Sequence, residues 1–152
     1  MKKRKQKMVT VQLADSNKLL KQAFRVREEV FVNEQQVARD EEFDIFEDES
    51  HHFVAHYGDV PCGAARWRTT EEGIKLERFA VKKAYRGRGI GALLVESVLE
   101  HIAVQPDVAG KKLYLNAQLT AMALYHKFGF KPEGDRFMEC NIEHQKMVRE
   151  IG

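Results

Sequence analysis

Between residues 81 and 94 the hydrophobic pattern of this chain changes period, and glycine punctuates the change. From residue 53 to 81 the apolar residues come in short runs, as in strands. From Ile90 they fall at Ile90, Leu93, Leu94, Val98 and Ile102, which is one face of a helix. Gly87, Gly89 and Gly91 occupy the joint. A strand, a glycine-rich turn and an amphipathic helix form a unit that has to cover a sheet, so the fold class expected is α/β, with a mixed sheet.

The rest of the chain agrees. Residues 8–13 place Val9, Val11 and Leu13 on one side of a first strand. Asp15 and Ser16 are N-cap candidates for a helix whose Leu20, Phe24, Arg27 and Phe31 recur at helical spacing and which is expected to fade near Asn33. Residues 39–50 hold seven acidic side chains punctuated by Phe43, Ile45 and Phe46, a loop expected to dock on the body. Residues 53–57, 63–68 and 74–81 read as an antiparallel meander, with turns at 58–61 and 71–73. The helix expected over 88–104 is stopped by Pro106. A short strand at 113–117 follows, then a helix with Thr120 as cap and Gly129 as terminator, and residues from 130 onward, chiefly 137–148, close the chain as β-structure.

Composition bounds the function. Of 152 residues 43% are hydrophobic and 32% charged, and no run of apolar residues is long enough to span a bilayer. Five of the positive charges fall in residues 1–7, so the net +2 hides an acidic body. The organisation expected is a basic tail over 1–7 and one domain over 8–152. The tail reads as a short solvated terminus, so nucleic acid is not the expected partner, nor is a membrane. The stretch behind it is broken by Thr10 and Gln12, which argues against a cleavable signal, and two cysteines outside any C-x-x-C pair fit a reducing cytoplasm. His52 and His56 lie i, i+4 on a strand, about 13 Å apart, too far for one ion, so no metal is expected and these histidines read as edge or turn contacts.

The chemistry concentrates in residues 76–91. Unpaired amides at a helix N-terminus favour anions, glycine lets the backbone approach them, and Lys82, Lys83, Arg86 and Arg88 add positive charge. This is a cradle for phosphate or pyrophosphate. A nucleoside-triphosphate P-loop is excluded, because Ala92 and Leu93 stand where it needs Lys and Ser or Thr. Gly87-x-Gly89-x-x-Ala92 satisfies the dinucleotide pattern in form, but five residues separate it from the strand and no acidic strand end follows at the required distance.

Arg86-x-x-Gly89-x-Gly91, entering a helix behind an aliphatic strand, resembles the acyl-CoA pyrophosphate motif of the GNAT N-acetyltransferase superfamily. Downstream, Leu115-Asn116-Ala-Gln and Ala123-Leu-Tyr125-x-Lys127-x-Gly129-Phe130 resemble its second block. Phe137-Met-Glu and Ile142-Glu-His144-x-x-Met147 are similar to a small bacterial ElaA-like branch. The resemblance implies transfer of acetyl from acetyl-CoA to an amine by direct attack, without a metal or a covalent enzyme intermediate. It implies that strands 74–81 and 113–117 part into a V, with the pantetheine arm beside Phe79, Ala80 and Val81, the pyrophosphate on Arg86, Gly87, Arg88, Gly89, Ile90 and Gly91, and Asn116 toward the pantetheine or the acetyl end. It further implies Tyr125 as general acid for the leaving thiolate.

For the base, Glu77 is the first candidate and His144 a second, since an ammonium has to lose a proton before it attacks. By the same resemblance Arg27, Glu28, Phe31 and Glu34 face the acceptor, a small-molecule or peptide amine that the acidic loop would attract. A non-catalytic acyl-CoA sensor is the alternative, and a homodimer is left open.

Overall fold

The structure, a computed structural model, describes residues 4–6 and 8–150, the first three by their backbone alone. A short strand β1, Arg4–Gln6, lies at the sheet edge against β2, Val9–Leu13, so part of the basic run expected as a solvated tail extends the sheet; residues 1–3 and 7 lie outside the described residues. Helix α1, Asn17–Arg27, starts where the Ser16 hydroxyl accepts the Leu19 N–H at 3.2 Å. It widens into a π-helix, Glu28–Glu34, which ends close to Asn33 as expected, with the Gln35 N–H on the Val30 carbonyl. Such wide turns cluster at functional sites. A four-residue helix α2, Arg39–Glu42, opens the acidic loop.

Strands β3, His51–Tyr57, β4, Val60–Thr69, and β5, Ile74–Val81, form the expected meander. After the glycine turn come α3, Ile90–Ala103, and β6, Lys112–Gln118. Thr120 does not cap the next helix: it sits inside a 3-10 turn, Leu119–Ala121, and α4, Met122–His126, begins after it. Gly129, at φ +87°, ends that segment as expected. Strands β7, Lys131–Pro132, β8, Phe137–Glu139, and β9, Ile142–Glu150, finish the chain.

The sheet order is β1-β2-β3-β4-β5-β6-β9-β7, with β8 on β9, and β5–β6 is its parallel pair. One face packs on α3 and α4 through Phe53, Trp67, Ile74, Leu76, Leu94, Val98, Leu115 and Met147; the other packs on α1 and the π-helix through Val26, Val30, Val54, Ala64 and Ala80. His52 and His56 lie buried on this second face, not at an edge or turn. His52 Nε2 bonds the Glu47 carbonyl at 2.8 Å, and His56 Nε2 bonds Gln22 Oε1 at 2.6 Å. Their even spacing from Val54 sends them to the side that α1 covers. Among the described residues no group of side chains is arranged to hold a metal ion, and no helix is long and apolar enough to cross a membrane.

Two features open the sheet. The parallel ladder has only the pairs Ile74–Leu113 and Lys75–Tyr114 among the described residues, beyond which β5 and β6 run on without pairing. On the other side of β5 the register against β4 shifts, so that Arg78 and Phe79 together oppose Ala65. This is a β-bulge, with Arg78 at φ +61°, and such a bulge bends and twists the strand that carries it.

Candidate active site

The parted strands enclose a cleft of about 630 Å³ whose walls come from β5, β6, the π-helix, the acidic loop and the β8–β9 hairpin. Beside its β5 wall lies the glycine turn. The Leu93 N–H closes the first bond of α3 on the Gly89 carbonyl at 3.2 Å, leaving Ile90, Gly91 and Ala92 with no carbonyl one turn below. Gly87 and Gly89 adopt φ of +80° and +78°, conformations that other residues enter at a cost, and a Cβ on Gly87 would meet no atom within 4 Å. The turn is exposed, so these amides face outward. Gly91 serves packing instead, since a Cβ there would press on Leu124 at 3.3 Å, and its absence sets the approach of α3 to α4. Ile90 is buried and offers only its amide. The Arg88 guanidinium lies over Tyr57 and Tyr85, 4.9 and 5.6 Å from the ring centroids.

Arg86 turns partly away from the glycines. Its Nη atoms bind both oxygens of Glu34 at 2.7 Å, and its Nε donates to the Val81 carbonyl at 2.9 Å. Glu34, expected to face an acceptor, is thus tied to the cradle, and the Arg86 hydrogen bond holds its carboxyl below the usual range. Beside it Gln35 and Gln118 exchange amide hydrogen bonds at 2.9 and 3.3 Å, bridging the π-helix to the end of β6.

Phe79, Ala80, Val81 and Asn116 all line the cleft, as does Tyr125. Tyr125 is 7% exposed, and its ring meets those of Phe79 and Phe130 edge-on at 5.7 and 6.4 Å. Burial raises its phenol well above the ordinary value, so the hydroxyl keeps its proton.

The wall opposite is ionic. Arg66, 0% exposed, sends Nη1 and Nη2 to Asp44 at 2.9 and 2.7 Å, Nε to Glu77 at 2.8 Å, and reaches Glu47 at 2.8 Å. Arg68 adds a second bond to Glu77 at 2.7 Å, and Lys75 lies 3.3 Å away. Burial pushes the Glu77 carboxyl up, but the Arg66 charge, with Lys75, Arg68 and Arg78, overrides it and holds the group below the ordinary carboxylate range. A carboxylate so occupied is a weak base. Arg78, at the bulge, grips the acidic loop through the Glu42 carbonyl at 3.3 Å and Asp44 at 3.2 Å.

Arg27 departs from the sequence expectation most clearly. It faces no acceptor: it is 0% exposed, lies against the rings of Phe24 and Phe43, 5.3 and 4.9 Å from their centroids, and directs its donors to Glu42 and Glu47 at 2.8–2.9 Å. Glu28 pairs with Arg39 outside the cleft, and of the four predicted acceptor residues only Phe31 lines it. On the hairpin lip, sequence reasoning singled out His144 and missed Glu139, Cys140 and Ile142 as site residues. Cys140 and Asn141, both at positive φ, make the two-residue turn between β8 and β9 and bring Glu139, Cys140, Ile142 and His144 to the cleft. An asparagine between two alternating runs was the available signal.

Comparisons agree with this architecture. A family model described as "Acetyltransferase (GNAT) domain" matches residues 12–151. The chain is 40% identical, over 91% of its length and 97% of the relative's, to the uncharacterized N-acetyltransferase YjcF of Bacillus subtilis. Among solved structures, Escherichia coli ElaA superposes with a TM-score of 0.80 at 27% identity, covering 94% of this chain and all of that one (100%). An acyl-CoA N-acyltransferase from Pseudomonas aeruginosa gives 0.78 at 28%, covering 93% and 97%.

Proposed function

The chain belongs to the GNAT acetyltransferase family, and from that membership we propose how its own residues move an acetyl group from acetyl-CoA to an amine. The observation that carries the reading is the parted β5–β6 pair, with a glycine turn on one side and the buried Tyr125 side chain in its wall. Along the β5 edge that β6 leaves unpaired, the backbone of Phe79 and the Val81 N–H hold the pantetheine arm as an added strand would, the Val81 carbonyl being taken by Arg86 Nε. The amides after Gly87 and Gly89 receive the pyrophosphate, and the open space at Gly87 fits that use. Acetyl-CoA supplies an activated thioester. Asn116 lies on β6 across the cleft and orients the acetyl end; Tyr125 gives its proton to the sulfur as the carbon–sulfur bond breaks. We assign Glu77 to fixing Arg66 and Arg68 instead of taking a proton, because its Oε2 accepts from both and its Oε1 lies 3.3 Å from Lys75.

Purified protein mixed with acetyl-CoA and a panel of primary amines is expected to release free CoA thiol, measured with a chromogenic disulfide. If every amine fails while CoA still raises the melting temperature, the protein is an acyl-CoA sensor instead. A second prediction tests the cradle. Gly87→Val places a branched side chain at positive φ on the exposed turn, so CoA affinity should fall by about tenfold or more, from roughly 1–2 kcal/mol of strain and a closed approach. Unchanged affinity by calorimetry would move the pyrophosphate elsewhere.

A further inference from the structure

The β8–β9 hairpin brings to the cleft a histidine whose tautomer the backbone dictates. His144 Nδ1 lies 2.6 Å from the Ile142 carbonyl. A carbonyl only accepts, so Nδ1 carries the hydrogen, and in the neutral ring Nε2 is then a bare lone pair. That nitrogen stands 3.8 Å from Oε2 of Glu139. Two acceptors at this separation make no bond with each other; together they receive a donor with more than one N–H. The ring is 6% exposed and stacks on Phe137, centroids 5.9 Å apart and planes within 22°, so its direction is fixed.

Acidic groups predominate around it, and Arg78, whose Nη2 donates to the Glu41 carbonyl at 3.3 Å, is the cation that reaches this lip. Glu41, across the lip from the acidic loop, accepts the Cys140 S–H at 3.4 Å. Burial first, then the Glu41 bond and the charges of Glu41 and Glu139, push the Cys140 thiol up to about 11. Arg66, Arg68, Lys75 and Arg78 engage Glu77 and Asp44, and Arg27 and Arg78 engage Glu42; among the described residues no lysine or arginine pairs with Glu41 or Glu139. The groups facing His144 are therefore Glu139 and Cys140 on its own hairpin, uncharged Gln118 opposite it on β6, and Glu41 beyond Cys140.

Building on the acetyltransferase reading, we propose that the acceptor enters as an ammonium between Glu139 and His144 and that Nε2 of His144 is the base that deprotonates it. The first N–H proton passes to Nε2 and on to solvent. The freed lone pair forms the carbon–nitrogen bond as the carbon–sulfur bond breaks; the Tyr125 proton goes to sulfur, and the second proton lost from nitrogen restores Tyr125. Glu139 is a positioning residue for the cation. With its hydrogen held on Nδ1, the imidazole presents Nε2 as a proton acceptor, whereas Oε2 of Glu77 is occupied by Arg66 and Arg68.

The test uses two probes of similar size, ethylamine, which is an ammonium near pH 7.5, and trifluoroethylamine, which is a neutral amine there. His144→Gln is expected to lower kcat for ethylamine by on the order of a hundredfold and to lower the ratio of ethylamine to trifluoroethylamine turnover by at least about tenfold. Glu139→Gln should raise KM for ethylamine and leave that for trifluoroethylamine in place. Equal losses with both amines would overturn the assignment. Long-range proton–nitrogen NMR of the wild-type protein reads the ring without turnover: hydrogen on Nδ1 supports the proposal, and hydrogen on Nε2 of the neutral ring overturns it. Absence of turnover with every amine would instead count against the acetyltransferase reading.

Discussion

Replacing Tyr125 by Phe is expected to reduce CoA-thiol release by roughly a hundredfold to ten-thousandfold, the range over which a positioned acid acts, and to change CoA affinity by no more than a few-fold. The reason is geometric. The ring fills the space between Phe79 and Phe130, and Phe keeps that packing, so the cleft wall survives. Only the hydroxyl is lost, and with it the proton that a departing thiolate requires. Because burial holds the Tyr125 phenol in its protonated form, wild-type activity should not decline through loss of this proton as pH rises toward the ordinary tyrosine range. Thiol release within about threefold of wild type, with folding and CoA affinity intact, would remove Tyr125 from the mechanism.

The second large effect is expected on stability. Arg66→Met should cost about 3–5 kcal/mol and lower the melting temperature by roughly 10 °C or more, because it leaves Asp44, Glu47 and Glu77 facing one another with their shared cation gone. The lower end of that range is expected, since Arg27, Arg68 and Arg78 each still hold one of the three carboxylates. The same network dictates the acid response. Burial pushes the Asp44 and Glu47 carboxyls up, but the hydrogen bonds and charge of Arg66 on Asp44, and of Arg27 on Glu47, hold both at about 2. A pKa lower in the folded than in the unfolded state contributes stability that is present above about pH 4 and is lost as pH falls toward 2. Denaturant melts at pH 6, 4 and 3 check the sign: wild type should weaken down the series, and Arg66→Met should weaken less steeply. A loss below about 1 kcal/mol at neutral pH would mean that the network is dispensable.

The parts of the site that sequence made legible are local. Gly87 and Gly89 declare positive φ, and the residues after them declare a helix start, so the cradle follows from a few consecutive positions. Tyr125 and Asn116 are reached through motifs of similar short range. Arg27 shows the opposite case. Its spacing with Leu20, Phe24 and Phe31 places it on an amphipathic stripe, but whether an arginine there meets an acceptor or is neutralised depends on Glu42 and Glu47, which return through a loop 15 and 20 residues later. Glu77 follows the same rule: its partners Arg66 and Arg68 lie on the neighbouring strand, and the bulge at Arg78 decides which of them it meets.

What the amino-acid order determined by itself was the main strands and helices, the mixed sheet and the glycine turn, because hydrophobic period and glycine conformation act over a few residues and need no distant partner. The tertiary structure alone decided which charges are neutralised and which are free. It buried Arg27 and Arg66 with their counter-ions, parted β5 from β6 after two pairs, and carried Glu139 and His144 from the end of the chain to the cleft. A side chain's chemistry depends on the charges and dielectric within a few ångströms of it, and those neighbours are set by strand register and loop return, not by sequence spacing.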